Sequence, residues 1–345
     1  MVVLGIDAHK RTHTVVAVDD AGRQLGVRVT RSTSTAAHLD LVHWAGQFGP
    51  ARRWAVEDCR HLSRRLEADL LAAGEQISRV PPKLMAATRK SARTYGKSDP
   101  IDALAVARAA LREPGLPTAR LDGPERELRL LTDHRDDLVA ERTRAVNRLR
   151  WHLHELDPDW DPKPRSLTRR KTIAAVTVRL AGLDGLVARL AAGLAARISE
   201  LTIQTDALEQ EIAALVRQLA PSLLALPGAG YLTAAKIVAE TAGAARFTSK
   251  DAYARHNGTA PLPVWSANKA RHRLSRTGNR QLNCAIHLIA VTQLRCHPDA
   301  RAYLQRRIAA GNTKTEAIRA LKRRLSDVVY RALLADAASH LDQAA

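Results

Sequence analysis

Four carboxylates stand where one site could collect them: Asp7, Glu57, Asp99 and Asp102. Asp7 closes the apolar run VVLGID, and Glu57 closes RRWAVE. Asp99 and Asp102 are three residues apart at the start of a helical stretch, DPIDALAVARAALR, so they share a face. Carboxylates gathered like this repel one another and are stable together only with cations between them. A ligand set made only of oxygens suits Mg²⁺ or Mn²⁺. Two such ions ~3.5–4 Å apart can stabilise the attacking and leaving oxygens of a phosphodiester. Two plainer readings stand beside this one. Asp99 before Pro100 is also an ordinary helix N-cap, and Asp58 replaces Glu57 if the strand phase slips by one residue.

A second chemical feature is Ser266, in PLPVWSANKARHRLSRTGNRQL. A serine hydroxyl is a weak nucleophile until something activates it. Lys269, Arg271, Arg273, Arg276 and Arg280 supply positive charge that could hold a DNA phosphate and favour alkoxide character. Attack on phosphorus would give a phosphoserine link to DNA that conserves bond energy, so strands can be rejoined without ATP. Ser266 could instead merely line a phosphate-binding loop, Ser275 is the other candidate nucleophile, and His272 is a possible base. A third feature is Leu226-Pro227-Gly228-Ala229-Gly230, between two helical stretches. It reads as a helix-hairpin-helix turn in which Gly228 and Gly230 let backbone N–H groups approach phosphate oxygens.

The elements that must hold these residues can be read from periodicity. Residues 1–30 give three short strands, with a turn at Asp19-Asp20-Ala21-Gly22. A strand at 52–58, a helix at 61–73 and a short buried strand at 77–80 follow, before Pro81-Pro82 breaks the chain. A basic loop from Lys83 to Lys97 then leads into the helix at about 100–112, and both lysines are candidate nucleic-acid contacts. This is an α/β domain with a mixed sheet, over residues 1–120. A strand-ending Asp, a later strand-ending Glu and a DxxD helix start together have the layout of a ribonuclease-H-like fold. From 121 to 220 the pattern becomes helical. Leu128, Leu131, Leu138, Ala145, Leu149, His152 and Leu156 follow a repeat near 3.5, as do Leu201, Thr205, Leu208, Ile212, Leu215 and Leu219. The expectation is a long antiparallel pair of coiled-coil type. Residues 221–340 read as a third, mostly helical domain.

Charge bears on the partner. The 345 residues carry 54 Lys+Arg against 35 Asp+Glu, a net charge of +19, and 43 of the 54 bases are Arg. That excess disfavours an ordinary metabolic enzyme and favours a polyanion. It is not evenly spread: the 47 residues from 252 to 298 hold no carboxylate. The three cysteines, Cys59, Cys284 and Cys296, are scattered without CxxC spacing, which argues against a disulfide framework and fits a reducing cytoplasm. No run of ~18 apolar residues suggests a membrane span, and no signal peptide is apparent. The expected setting is cytoplasmic and nucleoid-associated, with no membrane partner.

Taken together, GIDAHK, KSDPIDALAVARAA and LPGAGYLTAAKIVAE…RF…GTAPLP…S…GNRQL resemble the IS110-type (IS110/IS1111) transposases over nearly the whole chain. The resemblance implies a RuvC-like N-terminal domain whose DEDD tetrad maps to Asp7, Glu57, Asp99 and Asp102, and a nucleophilic serine that maps to Ser266. It also implies a recombinase guided by a noncoding bridge RNA that pairs with donor and target DNA, assembled as a dimer or tetramer so that acidic and serine sites meet across protomers. Two positions depart from the family pattern: Ala267 follows the serine where Gly is usual, and Gly258-Thr259-Ala260-Pro261 replaces GLxP. Two other functions fit the residues. One is a RuvC-like endonuclease that hydrolyses Holliday junctions or flaps with water, and the other is an architectural nucleic-acid-binding protein.

Overall fold

The computed structural model describes residues 1–344 apart from 58–59, 82–83, 86–87, 89–97, 114–115, 117, 120–122, 267–268 and 274–277, and describes backbone alone at 60–61, 264–266, 269–273 and 341–344. The chain divides into two compact units, residues 1–122 with 246–249, and residues 123–245 with 250–345.

The first unit is built on a five-stranded sheet, β1 (Val2–Ala8), β2 (His13–Val18), β3 (Gln24–Thr30), β4 (Arg52–Glu57) and β5 (Ile77–Val80), in the order β3-β2-β1-β4-β5. β1–β2 and β2–β3 pair antiparallel, while β1–β4 and β4–β5 pair parallel. This is the mixed sheet of an RNase H/RuvC-like domain. The central strands are apolar on both faces because both are covered. On one face Leu4, Ile6, Val15, Trp54, Val56 and Ile77 pack against α1 (Thr35–Ala45) and α2 (Arg60–Ala72). The sequence pattern had given no helix at 35–45. It forms there with Ser34 as N-cap, the Ser34 side chain accepting from the Ala37 N–H.

On the other face lies α3 (Asp99–Arg112), whose buried side is almost entirely alanine: Ala103, Ala105, Ala107, Ala109 and Ala110, with Val106. Small side chains let the helix lie close to the sheet, and Gly5 takes this to its limit. A Cβ at Gly5 would sit 2.2 Å from the Ala103 carbonyl oxygen and 2.4 Å from the Ala107 nitrogen. Helix backbone therefore rests directly on β1, two residues before Asp7. Arg53 Nη2 donates to the Ala110 carbonyl at 3.1 Å, which ties the far end of the helix to β4.

The second unit is helical. α4 (Pro124–Leu156) and α6 (Leu186–Leu219) form a long pair, joined through α5 (Arg170–Ala181). Its pairing is antiparallel: Arg135 reaches Glu209, Arg142 reaches Thr202 and Arg197 reaches Glu141. The buried stripe of α4 is Leu128, Thr132, Leu138, Ala145, Leu149 and Leu153. The last buried position is thus Leu153, where a 3.5 repeat had pointed to His152 and Leu156. The cause is a third helix: Ile173, Val176 and Leu180 of α5 join Leu149, Leu153, Ala191, Ala195 and Ile198 in one cluster. A three-helix core asks for a wider face than a two-helix seam. The unit continues through α7 (Pro221–Leu224), α8 (Tyr231–Thr241), α9 (Lys250–His256), a hairpin β6 (Leu262–Ser266) and β7 (Lys269–Arg273), then α10 (Arg280–Cys296), α11 (Pro298–Ala309) and α12 (Lys314–Ala344). No described helix is long and apolar enough to cross a membrane.

Two stability predictions follow from the first unit. Gly5→Ala should destabilise it by about 3 kcal/mol or more, because the clash is with backbone that cannot move aside; thermal denaturation measures this. The second concerns His13 and His38, which are buried with ring centroids 5.2 Å apart. Burial, and next the His38 charge, push the His13 pKa down from 6.5 to about 4. The folded unit thus holds His13 neutral, whereas the unfolded chain protonates it below its ordinary pKa. Its stability contribution is present above pH 6.5 and is lost as pH falls towards 4, reaching about 3 kcal/mol. A denaturation series across that window should show a flatter profile for His13→Gln than for the parent.

Candidate functional site

Asp7 is the penultimate residue of β1, and Glu57 is the last of β4, which runs parallel beside it. Ile6 pairs with Val56, so the next residue on each strand is one of the two acids. Both acids have the strand parity of Val3 and Ala55, which belong to the core under α3. The α3 end of that face supplies Asp99 and Asp102. Ser98 takes the N-cap position without a side-chain bond, so Asp99 is the first helical residue and the N-cap reading of Asp99 gives way.

Asp7 is buried, at 9% exposure. Its pKa is raised, first by burial and then by repulsion from Asp102 and Asp99, against the attraction and hydrogen bond of His9. His9 was not singled out in the sequence. Its Nε2 lies 3.1 Å from Asp7 Oδ2 and 3.5 Å from Asp99 Oδ1. The imidazole thus sits between the two carboxylates and within reach of both. Asp7, His9 and Asp99 each offer a ligand atom within 4.8 Å of the others. The only sequence signal for His9 was its place two residues after Asp7, which returns it to the same side of the strand.

The donor chemistry fits a divalent cation. A buried carboxylate destabilised by two neighbouring carboxylates gains most from an ion of opposite charge. Asp7 and Asp99 would hold it, with Glu57, Asp102 and His9 as the neighbouring donors.

Ser266 belongs to the other unit. It is the last residue of β6 and pairs in register with Lys269, the first of β7. Arg271 and Arg273 occupy the register positions opposite Val264 and Leu262. The serine therefore sits at the tip of a two-stranded hairpin. Ser275, Arg276, Lys83 and Lys97 lie outside the described residues. Arg280 is exposed at the start of α10.

The roots of this hairpin are fixed by close backbone packing and by hydrogen bonds centred on three asparagines. A Cβ at Gly278 would sit 2.2 Å from the Gly258 nitrogen, so the two root segments touch backbone to backbone. The Asn279 N–H donates to the His256 carbonyl at 2.6 Å. Asn279 also caps α10 and donates through Nδ2 to Glu240 Oε2 at 2.6 Å. Asn257 is fully buried: Oδ1 accepts from the Thr259 N–H and hydroxyl, and Nδ2 donates to Ser326 Oγ. Asn283 donates to the Asn257 carbonyl and accepts from Lys322 Nζ at 2.6 Å. Lys322 had counted among the basic residues of this domain, yet it is buried and its pKa is lowered by that burial.

The proline-glycine turn also has a packing explanation. Gly228 has φ +89°, and a Cβ there would lie 3.1 Å from the Ile289 carbonyl oxygen and from Thr292 Cβ, both on α10. Gln293 Nε2 donates to the Pro227 carbonyl at 2.9 Å. Gly230, the N-cap of α8, has open space around it.

Comparison with known proteins adds three observations. Residues 4–158 match the DEDD IS110 transposase family model, and residues 220–305 match the model described as "Transposase IS116/IS110/IS902 family". The chain is 28% identical to the 42 kDa protein of insertion element IS900 from Mycobacterium paratuberculosis, over 97% of this chain and 96% of that one. It is also 28% identical to the 44.8 kDa protein of insertion element IS116 from Streptomyces clavuligerus, over 96% and 94%. Among solved structures, Thermus thermophilus RuvC aligns at 18% identity and TM-score 0.27 over 32% of this chain and 94% of its own. The RuvC complex with a Holliday junction substrate aligns at 18% identity and TM-score 0.26, with the same coverage. At those scores the fold assignment rests on strand order and register instead.

Metal occupancy has a direct readout in stability. Mg²⁺ or Mn²⁺ should raise the melting temperature of the protein, by an amount equivalent to about 2.7 kcal/mol at 100 times Kd. Asp7→Asn should raise stability in metal-free buffer, because it removes a buried charge, and should abolish most of the metal-induced rise. A metal-induced rise of undiminished size in Asp7→Asn would exclude Asp7 as a ligand.

Proposed function

Because the chain belongs to the IS110 family of insertion-element transposases, we propose that it is a DNA recombinase that joins metal-assisted phosphate chemistry to a serine nucleophile. The observation that carries this reading is the division of charge between its two candidate sites. Carboxylates converge around Asp7, which suits a cation and repels bare phosphate. The hairpin that ends in Ser266 lies within the 252–298 stretch that has no carboxylate, which suits an incoming phosphate.

In this reading Ser266 Oγ attacks the scissile phosphorus. The Ser266 O–P bond forms as the bond to the leaving DNA oxygen breaks, and that oxygen takes up the proton. The reverse attack by a second DNA end restores the hydroxyl and joins the strands. Lys269 and Arg271, two residues apart on β7, would hold the phosphate oxygens. Asn257, Asn279 and Asn283 would keep the hairpin roots at a fixed angle, so that the serine is positioned before DNA arrives. A divalent ion beside Asp7 and Asp99 would supply Lewis-acid stabilisation of charge on the phosphodiester oxygens. DNA, as donor and target, is the substrate, and a noncoding bridge RNA would choose the sites. The charge of +19 exceeds what one duplex contact asks for and suits an RNA together with DNA. A dimer or tetramer is the expected assembly.

Suicide DNA substrates test the chemistry. Asp7→Ala and Ser266→Ala should each abolish strand exchange, and Ser266→Ala should also eliminate the covalent protein–DNA adduct. Continued cleavage by Ser266→Ala with free 5′-phosphate ends would instead identify a hydrolytic, RuvC-like nuclease. Sequencing of RNA that co-purifies with the protein tests the guide: one enriched noncoding species from the element's own flank is expected, and bulk cellular RNA alone would count against it.

A further inference from the structure

The far end of the long helical pair carries an aromatic side chain that the core does not use. Trp151, near the C-terminus of α4, is 73% exposed. The buried stripe of the helix runs through Ala145, Leu149 and Leu153, so Trp151 is on another face and is not a displaced core residue. Trp54, by contrast, is fully buried, and Trp44 packs against the sheet. An exposed indole presents a flat apolar face with a polar N–H at its edge.

Trp151 also lines a cleft of about 440 Å³, together with Asn147, Arg150, His154, Trp160 and Asp161. That volume is within the range of small-ligand sites. Other residues of the lining are already held in place. The Arg179 guanidinium lies 3.9 Å from the centroid of the Trp160 ring and donates to Asp157 Oδ2 at 2.5 Å. Arg150 holds the connector by donating to Asp161 Oδ1 and the Pro162 carbonyl. The cleft therefore combines a free aromatic face with a rigid rim of donors and acceptors.

We propose that this cleft binds an unpaired nucleobase of a single-stranded nucleic-acid segment, stacked on Trp151. The lining chemistry separates this from other occupants. Asn147 offers both a donor and an acceptor, and Asp161 can accept from an exocyclic amine, a pattern suited to a base edge and wasted on an apolar peptide. A base within a duplex has both faces stacked and offers none to the indole. Arg148 and Arg144, three and seven residues before Trp151 and both exposed, extend the same helix face with charges for the adjoining phosphates. The site depends on nucleic acid being the partner and is independent of the serine chemistry, so it can fail while strand exchange survives, and the reverse.

The test uses the full-length protein and its Trp151→Ala and Trp151→Phe variants. The probes are fluorescein-labelled single-stranded 12-mers of DNA and of RNA, the DNA 12-mer with abasic residues, and a blunt DNA duplex. Trp151→Ala should weaken binding of a base-bearing single strand about ten-fold, with Trp151→Phe in between. Duplex binding, abasic-strand binding and the thermal midpoint should not change. A loss confined to the DNA or to the RNA strand supports the site and names its ligand. Unchanged single-strand binding, or an equal loss for duplex and abasic probes, overturns the proposal. So does a fall in oligomeric mass by light scattering that accounts for the loss, since Trp151 would then be a contact between copies.

Discussion

The acidic cluster depends on one contact, the seating of helix backbone directly on Gly5. With no Cβ between them, α3 lies against β1 at the level of Ala103 and Ala107. Asp99 and Asp102 are the turn before Ala103, and Asp7 is two residues after Gly5, so the same contact that packs the core sets the distance between the acids. The alanine face of α3 serves this seating. Larger side chains there would bury more apolar area, yet they would lift the helix and spread the carboxylates.

That proximity creates an electrostatic conflict the fold does not resolve by itself. Asp7 is buried, and Asp99 and Asp102 push its pKa upward. The His9 imidazole relieves part of the conflict from the half-exposed side. Strain of this sort lowers stability and survives where a bound ion removes it. In the second unit, beneath the hairpin, a single buried carboxylate, Glu240, is held by Asn279, while Asn283 donates to the Asn257 carbonyl and accepts from the buried Lys322 ammonium, and Asn257 donates to Ser326. Glu240 is the carboxylate that enters this network, and it is shared between Asn279 and Arg129.

The helical pair shows how a local repeat is redirected by a third partner. A repeat near 3.5 is a statement about two helices; it ran along α4 and the second half of α6, from Leu201 to Leu219, while that helix begins at Leu186. Once α5 packs alongside, the buried face widens and the stripe passes through Leu153 rather than His152 and Leu156. Trp151 is left outside that stripe, available to solvent.

The sequence by itself determined the strands β1 to β5, the start of α3 and the last residue of α4, Leu156, each within a residue or two. These rest on short-range physics: apolar runs bounded by turn residues, and a proline that fits the first turn of a helix. It also placed Asp7 and Glu57 at strand ends, since an acid that closes an apolar run marks the edge of a core. Only the tertiary structure decided that His9 reaches Asp99, because ninety residues separate them and no local pattern encodes the meeting. The hairpin β6–β7 was hidden for a related reason. One of its strands is proline-bearing and the other is rich in basic residues, and the sequence between them, Ala267-Asn268, lacks the glycine that usually announces a hairpin. What holds it is the long-range contact of Gly278 with Gly258 and the hydrogen bonds of Asn257 and Asn283, which depend on α10 and α12 being in place.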